Sequence, residues 1–229
     1  MFNNLKYNKI LTVVIVIAVV VLFSVLGFWG YDVYRRKKLE KEASTAVNEF
    51  DNEVSKHSIK GVGTGNLVEN TTLEIDTNLI NIVDETNESS DPRIAKKTYK
   101  GFTMVGKIEI PKISLNLPVL DRATASSMEV SVGVVYGPGL NQVGNTVIMG
   151  HNYRDGTFFS NLYKLAVGDL IYITDNSGTK MKYTIYNMYE TPASDFSYAS
   201  RDTAGKREIS LSTCTDDVQN RIIIWARED

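Results

Sequence analysis

Cys214, the single cysteine of this 229-residue chain, ends a β-type run, Glu208-Ile209-Ser210-Leu211-Ser212-Thr213-Cys214. Seven positions later Arg221 opens a second run, Arg221-Ile222-Ile223-Ile224-Trp225-Ala226. His151, one of two histidines, ends a third, Asn145-Thr146-Val147-Ile148-Met149-Gly150-His151. A thiol, an imidazole and a guanidinium at the ends of apolar strands can supply a nucleophile, a proton shuttle and an oxyanion clamp. A free thiol titrates at about 8.5 and is only partly ionised near neutrality. A neighbouring imidazole and guanidinium favour the thiolate, which attacks a peptide carbonyl to give a thioester. An imidazolium can protonate the departing amine and then take a proton from the amine that resolves the acyl-enzyme. A guanidinium stays protonated at accessible pH and cannot be a base; its part is to hold the negative oxygen of the tetrahedral intermediate and the substrate backbone. Each residue also has a plainer reading. A lone strand cysteine is usually a buried small hydrophobe, a histidine at a strand end can satisfy a loop carbonyl, and an arginine on an edge strand can be a surface charge.

The elements that must position these groups are strands. From Gly101 onward the chain is short apolar runs punctuated by Gly, Pro and Asn turns. Ile113, Leu115, Leu117 and Val119 alternate with Ser114, Asn116 and Pro118, the period of a half-buried strand, and Val130, Val132 and Val134 repeat it. Leu170–Ile173 and Met181–Ile185 flank Asp175-Asn176-Ser177-Gly178, a hairpin signal. One short helix is expected over Phe158–Leu165. Seven to eight short strands with little helix predict a mainly β fold, a closed barrel or a sandwich.

The Ser-Leu-Ser-Thr-Cys run, the following Arg-Ile-Ile-Ile and the tripeptide Gly150-His151-Asn152 resemble the catalytic blocks of the sortases, cysteine transpeptidases of the Gram-positive cell surface. The resemblance covers about Gly106 to Ala226, including Gly106-Lys107-Ile108-Glu109-Ile110-Pro111-Lys112-Ile113 and Leu117-Pro118-Val119. Ser210 stands where the family more often has Thr, and both offer a small hydroxyl. The resemblance implies a sortase-type closed β-barrel and a division of labour: Cys214 as nucleophile, His151 as proton donor and acceptor, Arg221 as stabiliser of oxyanion and substrate. It also implies cleavage of a Leu-Pro-x-Thr-Gly-like sorting signal and transfer of the surface protein to a cell-wall precursor or pilin amine. Asn152, Thr213 and Asp216 could line the site, Asn152 and Thr213 placing hydrogen bonds. The polar stretch Tyr189–Arg207 is expected to help recognise the sorting signal, because an extended Pro-containing peptide suits a groove on a barrel wall. Arg227, in the terminal Arg227-Glu228-Asp229, is read as lying beyond the strand, so Arg221 is the catalytic candidate.

Neither a cofactor nor a metal is expected. Some sortases bind calcium through scattered carboxylates, but no dense Asp-x-Asp-x-Asp loop occurs here, and one cysteine excludes an internal disulfide and a Cys-rich zinc site. A net charge of −2 leaves no basic surplus for nucleic acid.

The N-terminal half organises this chemistry in space. A short N-terminus (1–9) precedes an apolar stretch from Ile10 to Trp29, broken only by Thr12, Ser24 and Gly27. Twenty helical residues rise about 30 Å, the hydrocarbon thickness of a bilayer, so 10–30 is expected to be an uncleaved membrane anchor. Leu39, Ala43, Ala46, Val47, Phe50 and Val54 then draw an apolar stripe on a helical stalk (31–60). It reads as solvated, with docking on the domain or pairing with another copy as alternatives, and His57 on it reads as solvated too. Gly61, Gly63 and Gly65 end the helix, and a polar spacer (61–100) separates it from the catalytic domain (101–229), which is expected to fold without residues 1–97. The spacer's Asp91-Pro92-Arg93 lacks the aromatic that tips the Asp-Pro lid of pilus-building sortases, which points away from pilus assembly. Five basic residues between Arg35 and Lys41 outnumber Lys6 and Lys9, so the positive-inside count puts the domain in the cytoplasm. The resemblance implies the opposite, a domain outside the cell membrane, and that is the expectation here.

Three other readings share parts of this pattern. A cysteine protease would use the same thiol and imidazole but let water resolve the acyl-enzyme. An L,D-transpeptidase would carry a Ser-x-Gly pattern before its cysteine, which Leu211-Ser212-Thr213-Cys214 lacks. A non-catalytic tethered β domain would have an inert Cys214.

Overall fold

The computed structural model describes residues 4–60 and 97–229, with side chains for 9–55 and 97–229. Residues 61–96 of the expected spacer, with Asp91-Pro92-Arg93, and the side chain of His57 lie outside the described residues, whereas 97–99 form a strand. Two compact units result, 1–45 and 46–229.

The first unit is helical, the beginning of α1 (Asn4–Lys60). Its residues from Ile10 to Trp29 are exposed throughout, a stretch long and apolar enough to cross a membrane.

The second unit begins at Ala46, within α1, rather than at Gly101. Ala46, Val47 and Phe50 from the stripe are buried, and carboxylates beside them reach lysines of the sheet. Asp51 pairs with Lys107 at 2.7 Å, and Lys97 meets Glu49 at 3.1 Å and Glu53 at 3.7 Å. This part of the helix is therefore docked rather than solvated. From Ala46 on, the stripe is apolar because it covers a sheet.

Among the described residues nine strands follow: β1 (Lys97–Tyr99), β2 (Phe102–Ile110), β3 (Leu115–Leu120), β4 (Val132–Tyr136), β5 (Gly144–Met149), β6 (Leu170–Asp175), β7 (Lys180–Pro192), β8 (Arg207–Cys214) and β9 (Asn220–Glu228). They lie in the order β1-β2-β3-β4-β5-β8-β9-β7-β6, and β2 pairs again with β6. Eight strands thus close a barrel and leave β1 as an outlying edge, one strand more than the sequence pattern suggested. Ile108, Val119, Ile148, Ile173, Leu211 and Ile224, all fully buried, form its core. The hairpin at Asp175–Gly178 is present, its turn closed by Asp175 Oδ1 accepting from the amides of Ser177 and Thr179.

Local chemistry moved several boundaries. Pro111-Lys112-Ile113 forms a 3₁₀ turn closed by Ser114 N–H on the Pro111 carbonyl at 3.0 Å, so β3 starts at Leu115 rather than Ile113; proline supplies the preset φ. Val130 precedes β4 because it lies just past Glu129, the C-cap of α2 (Ala125–Met128), with its N–H bonded to the Ser127 carbonyl. The helix expected over Phe158–Leu165 shrinks to a 3₁₀ turn at Leu162–Lys164. Phe158 takes a positive φ of 49°, and Phe159 N–H bonds the His151 carbonyl instead of a helical partner. β7 runs on to Pro192 against β9, and Arg207 already belongs to β8, so the loop expected over Tyr189–Arg207 is 193–206. Arg227 does not lie beyond the strand: it sits in β9 opposite Glu208.

Candidate active site

β5, β8 and β9 are neighbours with β8 in the middle. β5 runs parallel to β8, Met149 opposite Ser212, and β9 runs antiparallel, Arg221 opposite Cys214. The ends of β5 and β8 and the start of β9 therefore meet at one rim of the barrel. Directly opposed antiparallel residues sit roughly 5 Å apart at Cα, so the topology brings Cys214 and Arg221 together, with the turn bearing His151 on the other side of Cys214.

Side-chain alternation decides the face. Leu211 and Thr213 share one side with Ile148 and Ile224, in the core. Ser210, Ser212 and Cys214 share the other with Val147, Met149, Ile223 and Trp225. Cys214 is half-buried on this outer face. Arg221 lies along it, donating from Nε to the Ala193 carbonyl at 3.1 Å and from Nη1 to Met149 Sδ at 3.7 Å, with Phe196 5.2 Å beneath its guanidinium carbon. An arginine of β9 that reaches a methionine of β5 must cross the strand between them, the one carrying Cys214. Its Nη2 donates to no described residue and is available to an anionic oxygen.

His151 is half-buried, and its ring lies 5.0 Å from that of Tyr153. Burial holds its pKa below the ordinary 6.5, with the negative charge of Glu129 opposing that more weakly. The imidazole is thus neutral at neutral pH and able to accept a proton.

The two residues expected to contact substrate are engaged within the protein. Thr213 is buried and its Oγ1 donates to the Gly150 carbonyl at 2.8 Å. Asn152 Nδ2 donates to the Cys214 carbonyl at 3.0 Å and to Asp216 Oδ1 at 2.9 Å, while its Oδ1 accepts from Arg154 N–H at 3.0 Å. The loop 193–206 covers the outer face as expected of a recognition loop, but it is pinned by residues the sequence did not single out. Tyr198, buried, packs on Val147 and Ile223 and its hydroxyl meets Ser212 Oγ at 3.2 Å. Asn145 Nδ2 donates to the carbonyls of Tyr198 and Ala199. Arg201 donates to Glu208 Oε2 at 2.7 Å and to Ser210 Oγ at 2.7 Å. Glu208, only 3% exposed, also holds Arg227 and the Tyr186 hydroxyl. The signal for this network was Glu208 itself, a charge that opens an otherwise neutral run from Ile209 to Cys214. Ser210 and Ser212 are small because a loop lies over them.

Among the described residues no three His, Cys, Asp or Glu side chains gather to hold a metal. A cleft of about 440 Å³, lined by Tyr136, Pro138, Val143 and Arg201, opens at the start of β5, the end away from His151.

A family model described as the sortase domain matches residues 108–229, just over half of the chain, from β2 through β9. Sortase A of Bacillus anthracis is 27% identical over 208 residues, which span 90% of this chain and 88% of that protein. A lid mutant of sortase A from Corynebacterium diphtheriae aligns with a TM-score of 0.51 at 28% identity, over 55% of this chain and 70% of that one. A Clostridium perfringens sortase D5 transpeptidase aligns over 82% of this chain and 99% of that one, with a TM-score of 0.56 at 19% identity, a likeness of fold. The barrel, the matched segment and the cysteine at its β8 rim agree: the chain belongs to the sortase family and is an enzyme of the cysteine transpeptidase type.

Proposed function

We propose that this protein is a membrane-anchored transpeptidase that cleaves a Leu-Pro-x-Thr-Gly-like sorting signal and joins the released surface protein to a cell-wall amine. The observation that supports the reading is the rim itself, where Cys214 of β8 lies opposite Arg221 of β9, the Gly150 N–H just before His151 bonds the Ser212 carbonyl of the cysteine's strand, and the Arg221 guanidinium crosses that strand to Met149.

Cys214 Sγ attacks the carbonyl carbon of the Thr-Gly bond and passes its proton to the neutral His151. The S–C bond forms and the carbonyl oxygen becomes an oxyanion, which Arg221 stabilises through Nη2. The C–N bond then breaks, His151 returns the proton to the departing amine, and a thioester remains. An acceptor amine attacks the thioester, gives its proton to His151 and forms the new amide. The thiolate leaves and recovers that proton. The peptide lies on the outer face of β8, beside the loop 193–206 and the Phe196 ring.

The exposed apolar stretch of α1 supports the membrane anchor, and membership of a cell-surface family supports an outward catalytic domain. Protease added to intact cells is expected to digest the domain; protection until lysis would place it in the cytoplasm, where the charge count puts it. The chemistry is tested by intact-mass spectrometry of the protein with a Leu-Pro-x-Thr-Gly peptide, with and without an amine. An adduct resolved by the amine is expected. No adduct with any such peptide sinks the reading, and an adduct resolved only by water makes the protein a protease.

A further inference from the structure

The turn that carries His151 is tied to the strand that carries Cys214 on both sides of the imidazole. On the near side, Gly150 N–H donates to the Ser212 carbonyl at 3.2 Å, and Gly150 C=O accepts from Thr213 Oγ1. On the far side there is no main-chain equivalent. β5 has left the parallel register after Met149 opposite Ser212, and the chain turns to meet Phe158 in an isolated bridge at Asn152.

Along one edge of a strand, carbonyls recur at every second residue. Ser212 and Cys214 therefore offer successive acceptors toward β5. Gly150 N–H fills the first, and the Asn152 side-chain amide fills the second at 3.0 Å. The side chain thus adds a rung to the ladder where the backbone has departed, and the residue between the two rungs is His151.

The orientation of that amide is determined by its neighbours. Asp216 Oδ1, 2.9 Å from Nδ2, belongs to a carboxylate that only accepts, and Arg154 N–H, 3.0 Å from Oδ1, only donates. An amide turned the other way would oppose oxygen to oxygen twice and nitrogen to nitrogen once. Both Nδ2 hydrogens and the Oδ1 are engaged, so the group has little capacity for a substrate.

We propose that Asn152, oriented by Asp216, is a positioning residue that sets the place of the His151 imidazole relative to the Cys214 thiol. This rests on the transpeptidase reading for its kinetics, although the geometry stands without it. Proton transfer between thiol and imidazole needs hydrogen-bond reach, and a displacement near 1 Å costs up to about 10²-fold in rate.

The test compares Asn152→Ala, Asn152→Asp, Asp216→Asn and the double variant carrying the last two, in single-turnover acylation with a Leu-Pro-x-Thr-Gly peptide and in thermal unfolding. Asn152→Ala is expected to lower the acylation rate constant by about 10–10²-fold with the half-saturating peptide concentration within about two-fold of wild type. A raised half-saturating concentration with an unchanged rate constant would make Asn152 a substrate contact and overturn the proposal. Asp216→Asn is expected to be mild, because Asn152 Nδ2 can donate to the new amide oxygen. Asn152→Asp faces two acceptors and is expected to lose both rate and stability. In the double variant the residue-152 carboxylate accepts from the residue-216 amide, so the link between the loops returns while the rung to the Cys214 carbonyl does not. Its Tm is expected to recover and its rate to stay low; recovery of both would show that only the loop link matters and would overturn the proposal. Alkylation of Cys214 by iodoacetamide at pH 7 is read in parallel and needs no peptide. The Asn152→Ala rate is expected to shift from the wild-type value toward that of His151→Ala, and a rate equal to wild type would overturn the proposal even if no sorting peptide were ever turned over.

Discussion

Two outer walls of the barrel are covered, and they are covered differently. Over β5, β8 and β9 lies the loop 193–206, held by polar contacts: Asn145 on two carbonyls, Tyr198 on Ser212, Arg201 on Glu208 and Ser210. At the β2 wall lies the α1 segment from Ala46, with Val47 and Phe50 fully buried and its carboxylates on Lys97 and Lys107. A helix with an apolar stripe shields a strand along its length and is costly to lift. A loop pinned at points leaves the rim where Cys214 sits half-exposed and reachable by an extended peptide. The same barrel thus carries one wall built for stability and one built for access.

Mutations should separate the two walls. On the access wall, Cys214→Ala is expected to abolish adduct formation outright, since no other described side chain can form the thioester; a residual adduct on intact-mass analysis would move the nucleophile elsewhere. His151→Ala is expected to slow acylation by about 10²–10⁴-fold, and Arg221→Lys, which keeps the charge but loses the planar fork, by about 10²–10³-fold. Arg227→Ala is expected to leave the rate near wild type, because that side chain serves Glu208 at the other end of β9. If Arg227→Ala slows acylation while Arg221→Lys does not, the clamp is the wrong arginine.

On the stability wall, Phe50→Ala is expected to cost about 3–5 kcal/mol, the usual toll for emptying a fully buried phenylalanine site, with acylation at 25 °C unchanged in the folded fraction. By the same argument a chain starting at Ala46 should unfold at a higher temperature than one starting at Gly101, which lacks both the helix and β1. Equal melting temperatures would return α1 to the role of a solvated stalk. Asp51→Ala is a smaller version of the same test. Lys107, whose side chain is 7% exposed, would keep only Glu109 at 3.7 Å, and leaving a buried charged donor short of an acceptor costs about 1–3 kcal/mol.

The smallest effect is a pH dependence that belongs to the access wall. The pKa of His151 is lower in the folded protein than in the unfolded chain. Between those two values the unfolded state binds more protons, so stability is complete above the unfolded value, near 6.5, and declines as the pH falls toward the folded one. Denaturation followed from pH 7.5 to 5.5 should show a slope that flattens in His151→Gln. An unchanged slope would assign it to other groups.

Much of the access wall was legible in one dimension. The β8 and β9 runs, the hairpin at Asp175–Gly178 and the placement of Cys214, His151 and Arg221 at strand ends follow from period-two alternation and turn residues, which are local properties. Boundaries failed where local backbone chemistry overrode the alternation: Pro111 made a turn of a strand start, Val130 was held by the Ser127 carbonyl at the end of α2, and the positive φ of Phe158 broke a stretch that read as helix. The stability wall was legible only as an ambiguity. The stripe from Leu39 to Val54 shows that one helix face is apolar, but an apolar face has no address, and whether it meets solvent, a second copy or this barrel depends on surfaces distant in sequence.

The sequence by itself determined which chemistry was available, because one thiol, two imidazoles and a family-like Leu-Ser-Thr-Cys run leave few choices for a nucleophile and a proton carrier, and strand patterning needs only neighbours along the chain. Tertiary structure alone decided how those groups face each other. The parallel pairing of β5 with β8 brings residues more than 60 apart into register, and with it Asn152 becomes a rung on the Cys214 carbonyl, Glu208 the anchor of a covering loop and Arg221 a clamp braced on Met149. Those partnerships form between strands that closure of the barrel makes adjacent, and no spacing along the chain records which strands those are.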